Sequence, residues 1–471
     1  MRSGVLGLVA VAVAFVGGTA TAARPLETAI FEHPDTLLLT SPMAFERIAD
    51  AGATKVRLLL DWRATAPPGK RPPAGFNEAN PADPAYRWER LDEQVRRAAQ
   101  VGLDPLVTIV SAPAWASGGT GQFAGTVRPD PAALGRFARA AARRYSGSFR
   151  GLPRVRHWQI WNEPNHHNYL NPQVVGGKPF AATWYRRMLN AAARELRAVS
   201  ADNVVISAGM SPFQNAASLA PLVFMRELLC ISPGKPRRKN CDAKASFDVW
   251  STHPYTWGDA TTSAYRPDDV SLGDLPEVRS LLNAAWRLGT IDAKRPPNFW
   301  VTEFSWDSQP WDSNGLPLPL HARWLAEAFH TMWRSGVSLV TWFLLRDDRR
   351  GEGFAQSGLY INRGRLENDE PKPALTAFRF PFVAYKAGIG LSYWGRAPTG
   401  RARIALEQST RSGWRQLAVF RANRYGIFHG RVARRQGNSA VRARLVDGGG
   451  VSLPFSLARP ANRRVCPFGS C

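Results

Sequence analysis

The sequence is poor in cysteine and acidic residues, and it has no long apolar run beyond its N-terminal segment. Four cysteines occur among 471 residues. None of them forms a C-x-x-C pair, so the spacing typical of a zinc site is absent. After residue 22 no stretch reaches the roughly 18 consecutive apolar residues of a membrane helix. No glycine-rich loop follows the first predicted strand, which argues against a doubly wound nucleotide-binding sheet.

Acidic side chains are outnumbered by basic ones, 37 against 61, and the formal net charge is +24. Such a chain can attract nucleic acid, an anionic wall polymer or acidic sugars. The arginines are scattered, however, apart from a short basic run between Pro236 and Lys239 that is typical of a solvated loop. We therefore expect no nucleic-acid partner. A basic matrix or nucleic-acid binder, which would show steep salt dependence, is the weakest of the functional hypotheses.

The first 22 residues have the pattern of a secretory signal peptide. Arg2 precedes a short apolar stretch from Val5 to Val16, and Ala20 to Ala22 form a small-residue cleavage site. We expect a secreted, extracellular protein that has no membrane contact after signal removal. An uncleaved N-terminal anchor is the alternative.

Export to an oxidising compartment favours disulfides over free thiols. Cys230 and Cys241 lie in one polar, turn-rich segment, and Cys466 and Cys471 lie in another. We therefore predict these two local pairs among the possible connectivities. Zinc binding is the alternative, although the spacing does not support it.

From about Glu27 to Lys386, short β-type runs alternate with longer amphipathic stretches that often end at glycine. This alternation predicts βαβ units and a parallel sheet. Eight repeats favour a (β/α)8 TIM barrel, which we assign to residues 23–388. The predicted strands are Thr28–Glu32, Lys55–Asp61, Asp104–Ser111, Val155–Trp161, Val204–Gly209, Phe247–His253, Asn298–Phe304 and Ser338–Leu345.

After about Gly390 the helical periodicity ends, and short alternating runs separated by turn signals replace it. Residues 389–471 are therefore predicted to form a small C-terminal antiparallel β-sandwich. Its predicted strands are Arg403–Glu407, Gln416–Phe420, Gly426–Val432, Val441–Leu445 and Val451–Phe455.

Two glutamates end predicted barrel strands. Glu163 follows the fourth strand in the run Trp161-Asn162-Glu163-Pro164, and Glu303 ends the seventh. Catalytic groups of TIM barrels lie at the C-terminal ends of strands, so the two carboxylates can face each other across one cleft. The alternatives are that Glu163 caps a helix and that Glu303 pairs with an arginine for structural reasons.

This arrangement resembles clan A of the retaining glycoside hydrolases, and families five and thirty-nine in particular. The resemblance covers about Glu27 to Lys386. It implies that Glu163 is the acid/base and Glu303 the nucleophile, with no metal and no cofactor. Arg57 on the second strand matches the arginine that such enzymes hold against the nucleophile, although a structural salt bridge is the alternative.

The resemblance also implies substrate-binding positions. Asn162 would contact a sugar hydroxyl. His253 and Tyr255, which end the sixth strand, match the residues that orient the nucleophile, although His253 could equally be a core histidine. Trp342 on the eighth strand would stack on a sugar ring. Trp115 and Trp306 are further aromatic candidates, since planar apolar faces suit pyranose rings.

The predicted function is therefore a secreted retaining glycoside hydrolase that cleaves O-glycosidic bonds of a poly- or oligosaccharide by double displacement, and the protein is expected to be a monomer. Transglycosylation is a variant of the same chemistry. The alternative is a non-catalytic carbohydrate-binding TIM-barrel protein. The loop from Thr256 to Pro267 is long for its position and is expected to shape the substrate cleft.

Overall fold

A computed structural model describes residues 24–33, 36–348, 355–433, 439–461 and 463–465. The predicted signal peptide and the cysteines Cys466 and Cys471 lie outside these residues. The strands are β1 (Glu27–Phe31), β2 (Lys55–Asp61), β3 (Asp104–Val110), β4 (His157–Ile160), β5 (Val204–Ile206), β6 (Ala245–Ser246), β7 (Val249–Thr252), β8 (Ile291–Asp292), β9 (Asn298–Val301), β10 (Leu339–Phe343), β11 (Tyr360–Ile361), β12 (Glu370–Pro371), β13 (Phe382–Ala387), β14 (Gly390–Arg396), β15 (Arg403–Thr410), β16 (Gly413–Arg421), β17 (Ile427–Ala433), β18 (Ala440–Leu445) and β19 (Phe455–Ser456).

The α-helices lie mainly between the strands of the first part of the chain. They are α1 (Thr36–Thr40), α2 (Pro42–Asp50), α3 (Trp62–Thr65), α4 (Glu89–Gln100), α5 (Pro131–Arg144), α6 (Phe180–Val199), α7 (Pro221–Leu228), α8 (Leu275–Arg287), α9 (Leu318–Arg334) and α10 (Pro373–Arg379). Short 3-10 helices span Gly121–Phe123, Leu272–Asp274 and Leu366–Asn368.

The predicted TIM barrel is confirmed. Eight parallel strands close in the order β1-β2-β3-β4-β5-β7-β9-β10 and back to β1. Each corresponds to one predicted strand. The expected glycine caps are present where helices end, since Gly52 after α2 and Gly336 after α9 have φ of 86° and 84°. Glycine adopts this left-handed conformation at little cost, so the helix stops there and the chain turns into the next strand.

The barrel interior has an apolar layer and, above it, a polar layer of hydrogen-bonded side chains, namely those of Arg57, Thr108, Gln159 and Thr302. Buried Ala29, Leu106, Ile206, Val249, Trp300 and Leu339 form the apolar layer. Side chains alternate along a strand, so Val107 and Ile109 face the helices while Leu106 and Thr108 face the interior. The step from Leu106 to Thr108 therefore moves from the apolar layer to the polar one, toward the C-terminal ends of the strands.

The C-terminal part forms two antiparallel sheets, β13-β14-β17 and β16-β15-β18-β19, which confirm the predicted β-sandwich. Its first two strands, β13 and β14, were not predicted, and β13 begins before the expected boundary at residue 388. Of the predicted strand Val451–Phe455 only Phe455 lies in a strand, β19. The sandwich packs on the barrel through α9, where the Trp333 and Trp394 rings lie 5.8 Å apart. Arg396 of β14 also donates to Thr28 Oγ1 of β1 at 3.3 Å.

The predicted disulfide between Cys230 and Cys241 is present, with the two Cα atoms 6.1 Å apart. The predicted pair Cys466–Cys471 lies outside the described residues. In the described part of the chain, no helix combines the length and the hydropathy that crossing a bilayer requires.

Removal of the Cys230–Cys241 bond should lower the free energy of unfolding by about 2 to 3 kcal/mol, because the unfolded chain then regains the entropy of a short loop. Urea unfolding of Cys230→Ser, Cys241→Ser and the double variant measures this. Either single substitution breaks the same bond, so each should lose nearly as much as the double variant. If the double variant instead lost the sum of the two single-variant decreases in the free energy of unfolding, the disulfide would be contradicted.

Candidate active site

Glu163 follows β4 on an unusual backbone segment. Trp161 and Glu163 have φ of 74° and 38°, a left-handed conformation that side chains other than glycine rarely adopt. Tyr185 of α6 donates to Ile160 O at 2.7 Å, and the Trp161 indole donates to Tyr169 O at 2.8 Å. These contacts hold the end of β4 in place, and the resulting turn directs the Glu163 side chain toward the centre of the barrel mouth.

Gly209, which follows β5, makes room for the neighbouring groups. Its carbonyl accepts from Glu163 N at 3.0 Å. A Cβ atom at this position would clash with the imidazole of His253. Glycine is therefore required here for steric reasons, and it brings β5, Glu163 and His253 into direct contact.

Arg57 on β2 lies at the centre of the polar layer, with only 1% of its surface exposed. Its Nε donates to Thr108 Oγ1 at 3.1 Å. Its Nη1 donates to Thr302 O at 3.0 Å and to Glu303 Oε2 at 2.8 Å. Its Nη2 donates to Asn162 Oδ1 at 2.8 Å. One buried cation thus orients side chains at the ends of both the fourth and the seventh barrel strands.

Glu303 follows β9 and is held at both oxygens. While Arg57 binds Oε2, the Tyr255 hydroxyl donates to Oε1 at 2.9 Å. Burial, with Glu303 next in importance, raises the pKa of Tyr255 well above its ordinary value, so the phenol stays protonated. A guanidinium and a phenol O–H both favour the ionised form of a carboxylate.

Glu163 has a different environment. Burial raises its pKa from 4.5 to about 7, although His166 and Arg57 oppose the shift. Its Oε1 lies 2.9 Å from His253 Nδ1. Burial lowers the pKa of His253 to about 3, so this imidazole is neutral at ordinary pH. The sequence predicted that His253 orients the nucleophile, but its hydrogen-bonded carboxylate is Glu163, while a Glu303 oxygen lies within 4.8 Å of the ring. His253 Nε2 lies 3.1 Å from Thr302 Oγ1, which fixes the ring.

The two carboxylates face each other at short range. One oxygen of Glu163, one of Glu303 and a ring nitrogen of His253 all lie within 4.8 Å of one another. Three such groups could hold a metal ion, but the Glu303 carboxylate already accepts from a guanidinium and a phenol. A second cation beside Arg57 would meet electrostatic repulsion, so the donor set fits a metal poorly.

An open central cleft of about 450 Å³ lies at the barrel mouth beside Glu303. Its wall includes Arg57, Asn162, Trp161, Tyr169 and Phe343. Glu163 is not part of this wall, and 14% of its side-chain surface is exposed. The cleft thus combines aromatic faces with a few convergent polar groups, which is the usual composition of a small-molecule site.

The predicted stacking role of Trp342 is wrong. Its side chain is fully buried, its indole donates to Ser357 O at 2.9 Å, and it packs on Phe304 behind the strand. Because side chains alternate along β10, the next residue, Phe343, faces the cleft instead. Its ring lies 5.5 Å from that of Phe31.

Trp306 and Trp115 are also corrected. Trp306 is 1% exposed, donates to Thr256 O at 2.9 Å and packs on Trp324, so it belongs to the core. Trp115 is half-buried in an aromatic cluster with Trp62 and donates to Pro67 O at 2.9 Å. Neither contributes to the wall of the central cleft.

The predicted polar residues do meet at one place. Arg57, Asn162, Glu163, His253, Tyr255 and Glu303 form one connected group. Thr302 and Gly209 complete it and were not predicted. Thr302 could have been proposed from its place one residue before Glu303, but the sequence carries no signal for the clash that makes Gly209 necessary.

No protein-family model and no curated protein sequence matches this chain. Its fold is similar to solved structures. A family 39 glycoside hydrolase from the gut symbiont Bacteroides cellulosilyticus WH2 is 17% identical, with a TM-score of 0.52 over 88% of this chain and 81% of that one. The GH39 enzyme from Xanthomonas axonopodis pv. citri is 16% identical, with a TM-score of 0.50 over 89% and 92%. At this identity the likeness establishes the shared fold.

The raised pKa of Glu163 predicts that the stability difference between the wild type and Glu163→Gln depends on pH. Since the folded state holds this proton more tightly than the unfolded chain, the stabilisation is complete below about pH 4.5 and is lost as pH rises through about 7. The free energy of unfolding of the wild type relative to Glu163→Gln should therefore fall between about pH 5 and pH 8, by up to about 3 kcal/mol. Urea unfolding of both proteins at a series of pH values measures this difference. Subtracting the variant's free energy of unfolding from that of the wild type cancels the contribution of other titrating groups. A difference that does not change with pH would contradict the raised pKa.

Proposed function

We propose that this protein is a retaining glycoside hydrolase in which Glu303 is the nucleophile and Glu163 the acid/base. The observation that carries the proposal is a pair of facing carboxylates in opposite environments. Glu303 is bound by Arg57 and Tyr255, while burial raises the pKa of Glu163 to about 7, so that a large fraction of Glu163 holds its proton near neutral pH. Carboxylate oxygens within 4.8 Å suit double displacement, which uses a separation of about 5 to 5.5 Å, and leave too little room for the water of an inverting mechanism.

In the first step the ionised Glu303 attacks the anomeric carbon. The bond to the leaving oxygen breaks as Glu163 gives that oxygen its proton, and the sugar becomes covalently bound to Glu303. Asn162, whose Oδ1 accepts from Arg57 Nη2 and whose side chain also hydrogen-bonds Tyr169, has a second amide N–H that can donate to a sugar hydroxyl. A contact of this kind strengthens as the transition state forms.

In the second step the ionised Glu163 takes a proton from water. The resulting hydroxide equivalent attacks the anomeric carbon and releases Glu303, so the product keeps the configuration of the substrate. Neutral His253 beside Glu163 adds no positive charge there, which leaves the pKa of Glu163 high enough for it to serve as both acid and base.

The proposed substrate is a poly- or oligosaccharide that the exported protein meets outside the cell. Support for the carbohydrate substrate comes from the central cleft, where Phe31 and Phe343 offer apolar faces close to Arg57 and Asn162. Support for export comes from the signal-like N-terminal sequence and from the disulfide.

The proposed roles predict that Glu303→Gln lowers hydrolysis of aryl β-glycosides and oligosaccharides by roughly a thousandfold or more. Glu163→Gln should lower kcat/KM by about 10² to 10⁴ for substrates with poor leaving groups, and far less for dinitrophenyl glycosides, which leave without a proton. The exposed Glu277 on α8 offers a matched control, and Glu277→Gln should retain wild-type rates.

Proton NMR should show that the first product anomer has the configuration of the substrate. Inversion would contradict the two-step mechanism. If the wild type binds these aryl β-glycosides and oligosaccharides but cleaves none of them, the protein is instead a carbohydrate-binding protein.

The pH profile tests the acid role of Glu163 separately. Because the free enzyme must hold this proton, kcat/KM should decline as pH rises through about 7. Measured with one substrate that still needs a proton, such as a p-nitrophenyl glycoside, the wild type should show this alkaline decline and Glu163→Gln, at its lower rate, should not. An unchanged decline in the variant would assign the titration to another group.

A further inference from the structure

A second open space, the lateral cleft, lies beside the central one on the same end of the barrel. It has a volume of about 850 Å³. Its wall comes from the loop after β5, with Phe213 and Asn215, and from the long loop after β7, with Trp257 and Tyr265. Both loops leave the C-terminal ends of barrel strands, so the lateral cleft opens on the face that carries the two carboxylates.

Residues of the segment after Glu163 lie between the two clefts. Tyr169 lines the central cleft and its ring lies 6.0 Å from that of His166. On the other side, His166 Nε2 lies 3.3 Å from the side-chain nitrogen of Asn215, which lines the lateral cleft. His166 follows Glu163 by one turn, and its backbone N–H donates to Glu163 O at 2.8 Å. The lateral cleft therefore lies next to the segment that follows Glu163.

The far wall of the lateral cleft comes from the C-terminal end of the described chain. The Arg464 guanidinium lies 5.0 Å from the centre of the Trp257 ring, and Val465 N donates to Trp257 O at 3.3 Å. The Phe213 ring lies 5.3 Å from Trp257. Trp257 is thus held from two sides, whereas Tyr265 is 97% exposed at the rim and has its ring available.

We propose that the lateral cleft binds saccharide units on the leaving-group side of the bond that is cleaved. The inference rests on the proposed function. The proton of Glu163 goes to the leaving oxygen, so the units attached to that oxygen must extend past Glu163, and the lateral cleft is the open space in that direction. The long loop after β7 then serves to bind substrate, because it places both Trp257 and Tyr265 in the wall of the lateral cleft.

The chemistry of the wall fits sugars better than a purely apolar group. Aromatic rings pack against the apolar faces of pyranoses, while Gln214, Asn215, Thr262 and Ser263 supply side-chain donors and acceptors along the same wall. Tyr265, 97% exposed at the rim of the cleft, offers an aromatic face with a polar hydroxyl to a sugar that enters it. An alkyl or aryl leaving group would need no such polar side chains.

The test compares Tyr265→Ala with wild type on substrates that share one glycone. An aryl glycoside extends little beyond the cleaved bond, whereas a β-linked pentasaccharide reaches the lateral cleft. The ratio of kcat/KM for the pentasaccharide to that for the aryl glycoside should fall about tenfold in the variant, the loss expected for one aromatic contact. Ile389→Ala, which removes another side chain that is 95% exposed, is the matched control and should leave the ratio unchanged.

An unchanged ratio in Tyr265→Ala would overturn the proposal. An octyl glycoside with the same glycone is a third substrate. If the variant loses kcat/KM on this substrate alone, the cleft binds apolar leaving groups and the proposal is again overturned. If the wild type cleaves no member of the series, the proposed function fails on its own. The lateral cleft is then judged by pentasaccharide binding, followed through tryptophan fluorescence. Weaker binding to Tyr265→Ala would support a saccharide site, and equal binding would reject it.

Discussion

The buried guanidinium of Arg57 is the interaction on which the rest of the site depends. A cation that is 1% exposed would be very costly if it were unpaired, so the barrel surrounds it with acceptors. Its four hydrogen bonds reach Thr108, Thr302, Glu303 and Asn162, and its Cζ atom lies 4.3 Å from the Phe31 ring centre. Positions on the first, second, third, fourth and seventh barrel strands or strand ends are thereby tied to one rigid, planar group.

The polar layer gives the two carboxylates different properties although they lie close together. Glu303 is bound at both oxygens by groups that carry or donate a proton. Glu163 has a neutral imidazole beside it, and burial dominates its pKa. Two acids of the same type at short range can divide the tasks of nucleophile and proton donor only when their surroundings separate them in this way. Thr302 supports the division, because its carbonyl accepts from Arg57 and its hydroxyl contacts His253.

The loops add what the barrel itself does not provide. The segment after Glu163 separates the central cleft from the lateral cleft, and the loop after β7 forms much of the lateral wall. Arg464 and Val465 return from the C-terminal sandwich to pack on Trp257. The C-terminal part of the chain therefore contributes directly to the face on which the carboxylates lie, in addition to its packing against α9.

The sequence by itself determined the order and period of the elements, the sandwich, the local disulfide and the strand ends at which Glu163 and Glu303 stand, because apolar periodicity and turn chemistry are local properties. The sequence did not determine which side chains of a strand face the central cleft. Trp342 and Phe343 are adjacent and both aromatic, and only the pairing of β10 within the closed barrel decides that Phe343 points inward. The contact of His253 with Glu163, the clash that requires Gly209 and the wall that Arg464 completes join residues far apart in the chain. Such contacts were decided by the tertiary structure, because they depend on how the barrel closes and how the loops pack above it.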